Sequence, residues 1–283
     1  MSRFVLAIAA AGLVLAGCAA PRACPSRYPA GTQRASMVWD IGGPSSRVMM
    51  VGTYHAASSD DLPDAARSAI GEADLLVVEA AGPRGDFRER NRARRDALLL
   101  PPGESLRRML GDSDFEFVVE HVPPDRDEVD RLRPWVAASL LVKGAFVFPV
   151  RSLVDEIRSV AAARGLPVRA LDSWERQLAL LDTQVGLDEL RLAIRGYPRL
   201  ACGIQRDLDA FRVGDVGHFE RAQPRRGVMA IASGARNDEW ARRIADHAWS
   251  GRRVVVAISV SNIVGPSGIA QRLVDSGLAV TRR

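Results

Sequence analysis

The sequence predicts an α/β fold with a mixed or mostly parallel central sheet, flanking helices and a large helical insertion. Two short apolar runs, at 48–51 and 74–79, end in polar residues, and a β-branched run at 252–260 is typical of a strand buried on both faces. The longest stretch with helical periodicity, at 84–150, predicts the insertion. A chain of 283 residues, 47% of them hydrophobic, is long enough for one large α/β domain.

The predicted elements follow one another with short connections. A strand at 37–39 and the apolar strand that ends at Gly52 form a β-hairpin, and a helix at 62–72 with a strand at 73–80 completes a βαβ unit. Beyond the insertion, the patterns predict a helix at 153–164, a strand at 166–171, a helix at 174–181 capped by Ser173, further helices to about 211, a long helix at about 228–248, a strand at 252–260, and a closing helix and strand that end near 281.

Polar side chains end both strands of the βαβ unit. His55 comes three residues after Gly52, and Glu79 follows four apolar residues of the next strand. Ligands of α/β proteins bind beyond the carboxyl ends of the parallel strands. We therefore expect the two strand ends to lie side by side, with His55 and Glu79 facing one crevice.

The N-terminal segment has the pattern of a bacterial targeting signal. Arg3 precedes an apolar stretch at 4–15, which is too short for a permanent membrane span. The residues Leu15-Ala16-Gly17-Cys18 then resemble the lipobox of bacterial lipoproteins, in which the cysteine carries fatty acyl chains such as palmitate. This resemblance implies a signal peptide at 1–17, a lipidated tether at 18–35 and a domain at 36–283.

The residue after Cys18 bears on the compartment. Ala19 stands where an aspartate would imply retention in the inner membrane, so the resemblance implies an outer-membrane lipoprotein that faces the periplasm. The alternative is an ordinary secretory signal with an incidental cysteine. In an oxidising compartment Cys24 and Cys202 are either a disulfide that ties the N-terminal arm to the domain or two unpaired thiols.

The charge pattern argues against nucleic acid as a partner. The formal net charge is +5, but 34 acidic residues are interspersed among the basic ones. Basic runs interleaved with aromatic residues, which are typical of nucleic-acid-binding surfaces, do not occur. The membrane, reached through lipid on Cys18, and a peptide or envelope ligand are the expected partners.

Several motifs occur in a fixed order along the domain. They are Gly52-Thr53-Tyr54-His55, the strand-end Glu79, Asp172, Arg236-Asn237 and a glycine turn at 265–268. In this order they resemble the TraB/PrgY/GumN family, which includes the Tiki proteases, over residues 37–283. The resemblance implies an α/β fold in which two strand-end Gly-x-x-His motifs and a glutamate meet, and, in the Tiki branch, a peptidase that depends on a divalent metal.

The second Gly-x-x-His motif departs from the family pattern. Its glycine and histidine positions hold Ser259 and Asn262, and Asp172 stands where the family usually has glutamate. A catalytic zinc site normally has three protein ligands with N, S or carboxylate donors. An amide oxygen suits zinc poorly but can ligate a harder cation, and an amide cannot act as a general base.

The resemblance therefore implies two main alternatives. In the first, the chain is an envelope hydrolase of peptide or ester bonds. His55 and Glu79 hold a divalent ion such as Mn²⁺ or Co²⁺, and Arg236 stabilises the developing oxyanion. Three further residues shape the site or contact the substrate: Asn262, Asn237 and Asp172.

In the second alternative, the chain is a non-catalytic relative that binds a peptide or envelope component and has lost the metal site at Asn262. A structural lipoprotein that serves only as an anchor is a third interpretation. Glu79 paired with Arg236 as a buried ion pair is the alternative to metal ligation. The other three histidines lack partners at metal spacing, and we predict surface or structural roles for them: His121, His218 and His247.

Overall fold

The computed structural model describes residues 24–29, 32, 36–42, 47–80, 93, 95–123, 125–222 and 234–283. Cys18 and the rest of the predicted targeting signal lie outside these residues. The centre of the fold is a sheet of strands in the order β4-β3-β5-β2-β1-β6. Their bounds are β1 Val38–Gly42, β2 Arg47–Thr53, β3 Leu75–Ala80, β4 Val168–Asp172, β5 Arg253–Ser259 and β6 Ala279–Arg282.

The sheet is mixed and mostly parallel, which confirms the predicted α/β class. The four strands β4, β3, β5 and β2 run parallel to one another, whereas β1 is antiparallel to both of its neighbours. The predicted hairpin is therefore present as β1 and β2. β5 pairs on both sides and has five successive buried residues. A strand buried on both faces reads as a continuous apolar run, which is the pattern that the sequence shows.

The prediction that β2 and β3 are adjacent is wrong, because β5 lies between them. β2 pairs with β5 from Arg47 to Thr53, and β3 pairs with the other edge of β5 from Leu75 to Val78. The most apolar strand takes the central place, where both of its faces are covered. As a result, the residues that follow β5 emerge between the ends of β2 and β3.

Helices cover the sheet and form the predicted insertion. The bounds of the helices are α1 Asp64–Glu72, α2 Leu106–Leu110, α3 Asp112–His121, α4 Arg126–Asp130, α5 Pro134–Ala145, α6 Leu153–Ala163, α7 Trp174–Gln184, α8 Leu187–Val213, α9 Val216–Ala222, α10 Gly234–Ala248, α11 Val260–Ile263 and α12 Ile269–Asp275. Gly214, with φ of 72°, adopts the left-handed conformation that ends α8, the longest of these helices. Ser173 caps α7 by accepting a hydrogen bond from the Arg176 N–H at 3.2 Å.

The buried residues form two hydrophobic clusters. One surrounds the sheet, and the other is built by the insertion helices α2–α5 together with the first half of α8. Leu190 and Ile194 of α8 belong to the insertion cluster, while Leu208 and Phe211 of the same helix belong to the sheet cluster. α8 therefore joins the two cores. None of the helices in the described part of the chain is both long and apolar enough to cross a membrane.

Candidate functional site

Three parallel strands end at one edge of the sheet and bring the predicted site residues together. Tyr54 and His55 follow β2, Glu79 lies near the end of β3, and Asn262 lies in the short helix α11 that follows β5. Because β5 is central, Asn262 lies between the ends of the other two strands. This arrangement creates the crevice that the strand ends predict, with an additional strand inside it.

The glycine of the first motif has a packing role. The Gly52 N–H donates to the Met37 carbonyl at 2.7 Å, and a Cβ added at Gly52 would lie 3.1 Å from the Met37 Cβ. The close approach of the hairpin strands therefore requires a glycine here. The His55 side chain beyond it is exposed, and its ring centroid lies 4.5 Å from that of Tyr54 and 5.5 Å from that of Phe148.

Asn262 bridges Glu79 and Arg236. Glu79 Oε1 accepts hydrogen bonds from the Ser259 N–H at 2.6 Å and from Asn262 Nδ2 at 3.1 Å. Asn262 Oδ1 in turn accepts a hydrogen bond from Arg236 Nη2 at 3.1 Å. Asn262 is 5% exposed and Arg236 is 3% exposed, so this chain of contacts lies almost entirely inside the protein. Both positions of the degenerate second motif, Ser259 and Asn262, thus contact Glu79.

The Arg236 guanidinium is held in a buried, negatively charged environment. Burial lowers the pKa of Arg236, and the charges of Glu79 and Asp172 partly offset this effect. The guanidinium carbon lies 4.5 Å from the ring centroid of the fully buried Trp240, within the range of a cation–π contact. The Asp172 side chain is buried and forms an ion pair with Arg176 at 3.5 Å. Asp172 therefore acts on Arg236 through its charge.

Asn237 shapes the site from a distance. It is 1% exposed, and its Nδ2 donates to the Ser267 carbonyl at 3.0 Å. This contact fixes the glycine turn to helix α10. Neither Asn237 nor Asp172 lines the cavity described below, whereas His55, Glu79 and Asn262 do.

A single cavity of about 990 Å³ contains the strand-end residues. His55, Glu79, Arg236, Ser259 and Asn262 all contribute to its wall. The second wall is formed by α8, and Val142 of α5 and Val154 of α6 add apolar surface. The predicted convergence of His55 and Glu79 on one crevice is thus present, although β5 separates their strands.

The profile of one known sequence family matches nearly the whole domain. Residues 37–282 match the sequence profile described as the TraB/PrgY/gumN family. The chain belongs to the TraB/PrgY/gumN family. Neither a curated protein nor a solved structure is significantly similar to this chain. For this TraB/PrgY/gumN member, the match covers every strand and helix that contributes a residue to the strand-end site.

The side chains at the strand ends do not fit a metal site with three imidazole, thiolate or carboxylate ligands. Among the described residues, no group of three or more His, Cys, Asp or Glu side chains is arranged to hold an ion. The Asn262 oxygen faces Arg236, and its amide N–H faces Glu79. A cation beside Glu79 would meet this donor rather than a ligand. Glu79, Asn262 and Arg236 are instead linked to one another by hydrogen bonds.

A second polar group, which the sequence did not predict, lies on the same cavity. His218 Nε2 and Asp207 Oδ1 are 2.6 Å apart, and the Tyr54 hydroxyl donates to Asp207 Oδ2 at 3.3 Å. All three side chains line the cavity. His218 therefore has a carboxylate partner that only the turn from α8 to α9 provides. The sequence signal was the helix break at Gly214, followed by Asp215, whose side chain accepts from the His218 N–H at 2.9 Å.

The N-terminal arm completes the cavity. Cys24 and Cys202 form a disulfide with a Cα–Cα distance of 5.3 Å, which decides between the two alternatives for these cysteines. The Tyr28 hydroxyl donates to Asp215 Oδ2 at 2.8 Å, and Arg27 lines the cavity. The arm is thus fixed to α8 by a covalent bond and to Asp215, just beyond the end of that helix, by a hydrogen bond.

The pKa of Tyr28 predicts that its contact with Asp215 is lost at high pH. Burial and the Asp215 carboxylate raise the pKa of Tyr28 to about 12, above its ordinary value of 10.0. The folded state favours the neutral phenol, so its contribution to stability is complete below pH 10 and is lost as the pH rises towards 12. We expect Tyr28→Phe to remove one tyrosine that titrates near pH 12 and to cost about 1 kcal/mol.

Spectrophotometric titration of the parent and of Tyr28→Phe checks this prediction. Tyr197 supplies the comparison, because burial raises its pKa and the variant leaves it unchanged. If the phenol lost in Tyr28→Phe is one that titrates near its ordinary value of 10.0 and not near 12, the attachment of the arm through Tyr28 is contradicted.

Proposed function

We propose that this chain is an envelope lipoprotein that binds a peptide or another envelope component in the cavity without turning it over. The observation that carries the proposal is the position of Asn262 between Glu79 and Arg236. The amide is hydrogen-bonded to both charged partners, so neither of its polar atoms is left as a ligand for an ion beside Glu79 Oε1. The cavity volume lies at the upper end of the usual range for ligand sites.

The proposed membrane attachment rests on the lipobox pattern that ends at Cys18. Arg27 at the cavity wall comes nine positions after Cys18, and a fully extended chain of that length spans at most about 30 Å. Attachment to the outer membrane through Cys18 would therefore hold the cavity close to the lipid surface on the periplasmic side. A ligand drawn from the envelope is consistent with this distance.

A second candidate function is hydrolysis of a peptide or ester bond with a divalent ion such as Mn²⁺ or Co²⁺. The observation that favours it is that His55 and Glu79 share one cavity wall with Arg236. In this case Arg236, on the cavity wall, is the group that would orient a substrate carbonyl. Asn262 distinguishes the two candidates, because it occupies the position of the second family histidine.

Asn262→His separates the two candidate functions. We expect the purified parent chain to show no saturable heat of binding with Mn²⁺ or Co²⁺ in calorimetry. The variant places an imidazole beside Glu79, on the cavity that His55 also lines, and we expect it to bind one of these ions at least about tenfold more tightly than the parent. His55→Ala introduced into the variant should abolish the gain.

The control is made on the variant, and the contrary outcome is measured on the parent. Thermal denaturation of Asn262→His confirms that the variant is folded before metal is added. Saturable metal binding by the parent that His55→Ala removes, together with cleavage of a peptide library, would overturn the binding proposal and support the hydrolase.

A further inference from the structure

One face of helix α8 forms an apolar floor along the cavity. The residues on this face span, together with Asp207 at its end, about 22 Å of helix at a rise of 1.5 Å per residue. Backbone N–H and C=O groups of a helix interior bond to one another, so this floor offers few partners to an extended peptide backbone. An alkyl chain needs no such partners. The floor residues are Leu192, Ala193, Gly196, Leu200, Gly203 and Ile204.

The two glycines widen the groove. A Cβ added at Gly196 or Gly203 would meet no atom within 4 Å, so the space above both residues is open. Leu192, at the outer end of the same face, is 54% exposed although it is a large apolar residue. Val142 and Val154 face the groove from the neighbouring helices. The floor along α8 is therefore long and apolar, which suits an acyl chain.

The other end of the groove is basic. Arg206, Arg27 and Arg221 line it, and Arg221 is paired with Asp215 at 3.8 Å. Asp207, which also lines this end, is already hydrogen-bonded to His218 and Tyr54. The Arg206 guanidinium, on the wall at the end of an apolar floor, is complementary to an anionic head group.

We propose that the cavity binds a single-chain anionic amphiphile, with its alkyl chain along α8 and its carboxylate at Arg206. This inference rests on the proposed ligand-binding function and names the class of ligand. A long-chain fatty acid has this chemistry, and a lysophospholipid with a phosphate head shares it. We take the fatty acid as the ligand, because its alkyl chain matches the length of the floor along α8 and a carboxylate fits the forked donors of one arginine.

Photocrosslinking in the membrane tests the proposal with the full chain. The probe is a long-chain fatty acid with a diazirine in its alkyl chain, added to membranes that contain the protein, and the labelled peptides are mapped by mass spectrometry. We expect labels within residues 187–213. Unlabelled oleate should compete about tenfold better than oleyl alcohol, which lacks the charge. Lysophosphatidate in a parallel arm distinguishes a phosphate head from a carboxylate.

Gly203→Leu is the decisive variant. Its side chain enters the open space above the floor, and leucine is a better helix former than glycine, so the helix should remain folded. We expect labelling of α8 to fall about tenfold. The matched control is Gly71→Leu in α1, where an added Cβ also meets no atom within 4 Å and no cavity wall is altered.

Arg206→Gln tests the head-group end, and Arg242→Gln on the exposed face of α10 is its control. The first should remove the advantage of oleate over oleyl alcohol, and the second should leave it unchanged. Equal labelling of α8 in Gly203→Leu and the parent, or equal competition by oleate and oleyl alcohol in the parent, would overturn the proposal. Metal binding by the parent would instead overturn the proposed function and leave the crosslinking map unaffected.

Discussion

Replacing Gly268 with alanine is expected to destabilise the domain by about 3 kcal/mol or more. A Cβ at this position would lie 2.3 Å from the carbonyl oxygens of both Ile263 and Val264. These are backbone atoms, so no side-chain rotation relieves the clash. The Gly268 φ of −76° is accessible to any residue, and the requirement for glycine is therefore one of space alone.

The clash has a consequence for the site. Ile263 is the last residue of α11, and its neighbour Asn262 holds Glu79 and Arg236. Displacing this backbone would disturb both hydrogen bonds. Chemical denaturation of the parent, Gly268→Ala and Gly71→Ala measures the effect. The control should change the free energy of unfolding by less than about 1 kcal/mol and in the stabilising direction. An unfolding midpoint for Gly268→Ala equal to that of the parent would exclude this packing argument.

Removing the disulfide is expected to have the second large effect. The bond between Cys24 and Cys202 joins residues 178 positions apart, and a cross-link over a long loop restricts the unfolded chain strongly. We expect Cys202→Ala to cost about 2–5 kcal/mol. For a domain of this size, the midpoint of thermal unfolding should then fall by about 10 °C.

A local effect should accompany the loss of stability. Without the bond, the Tyr28–Asp215 contact remains as an attachment of the arm, and Arg27 becomes free to leave the cavity wall. Hydrogen exchange of residues 24–29 measures this release, and treatment of the parent with a reductant reproduces it without a mutation. A midpoint that neither the reductant nor Cys202→Ala changes would contradict a stabilising role for the bond.

Local patterns in the sequence predicted the elements and the strand ends well. The apolar runs before His55 and Glu79 have the period and length of buried strands, and both residues line one cavity. Strand order is a different matter. The local pattern of residues 253–259 does not indicate that this strand lies between two earlier strands. Strand order depends on which strand edges are available for pairing once the whole chain is compact.

The roles of individual polar residues depend on distant contacts. The resemblance predicts that Asn262 stands at a histidine position of the family, but the bridge to Arg236 joins residues on different elements, 26 positions apart. His218 was predicted to have a surface or structural role because its partner, Asp207, lies on another helix. The pairing of Cys24 with Cys202 likewise required a distance, and sequence separation contains no such information.

The central position of β5 determines when the sheet can form. β2 and β3 are separated by only a short helix in the chain, yet neither can pair along its inner edge until residues 253–259 are available. During synthesis most of the polypeptide is therefore made before the middle of the sheet exists. Such late, non-local pairing slows folding and leaves two apolar strand edges open to other chains. A chain that ends before β5 should therefore aggregate rather than fold, and a ligand of the cavity should not prevent this.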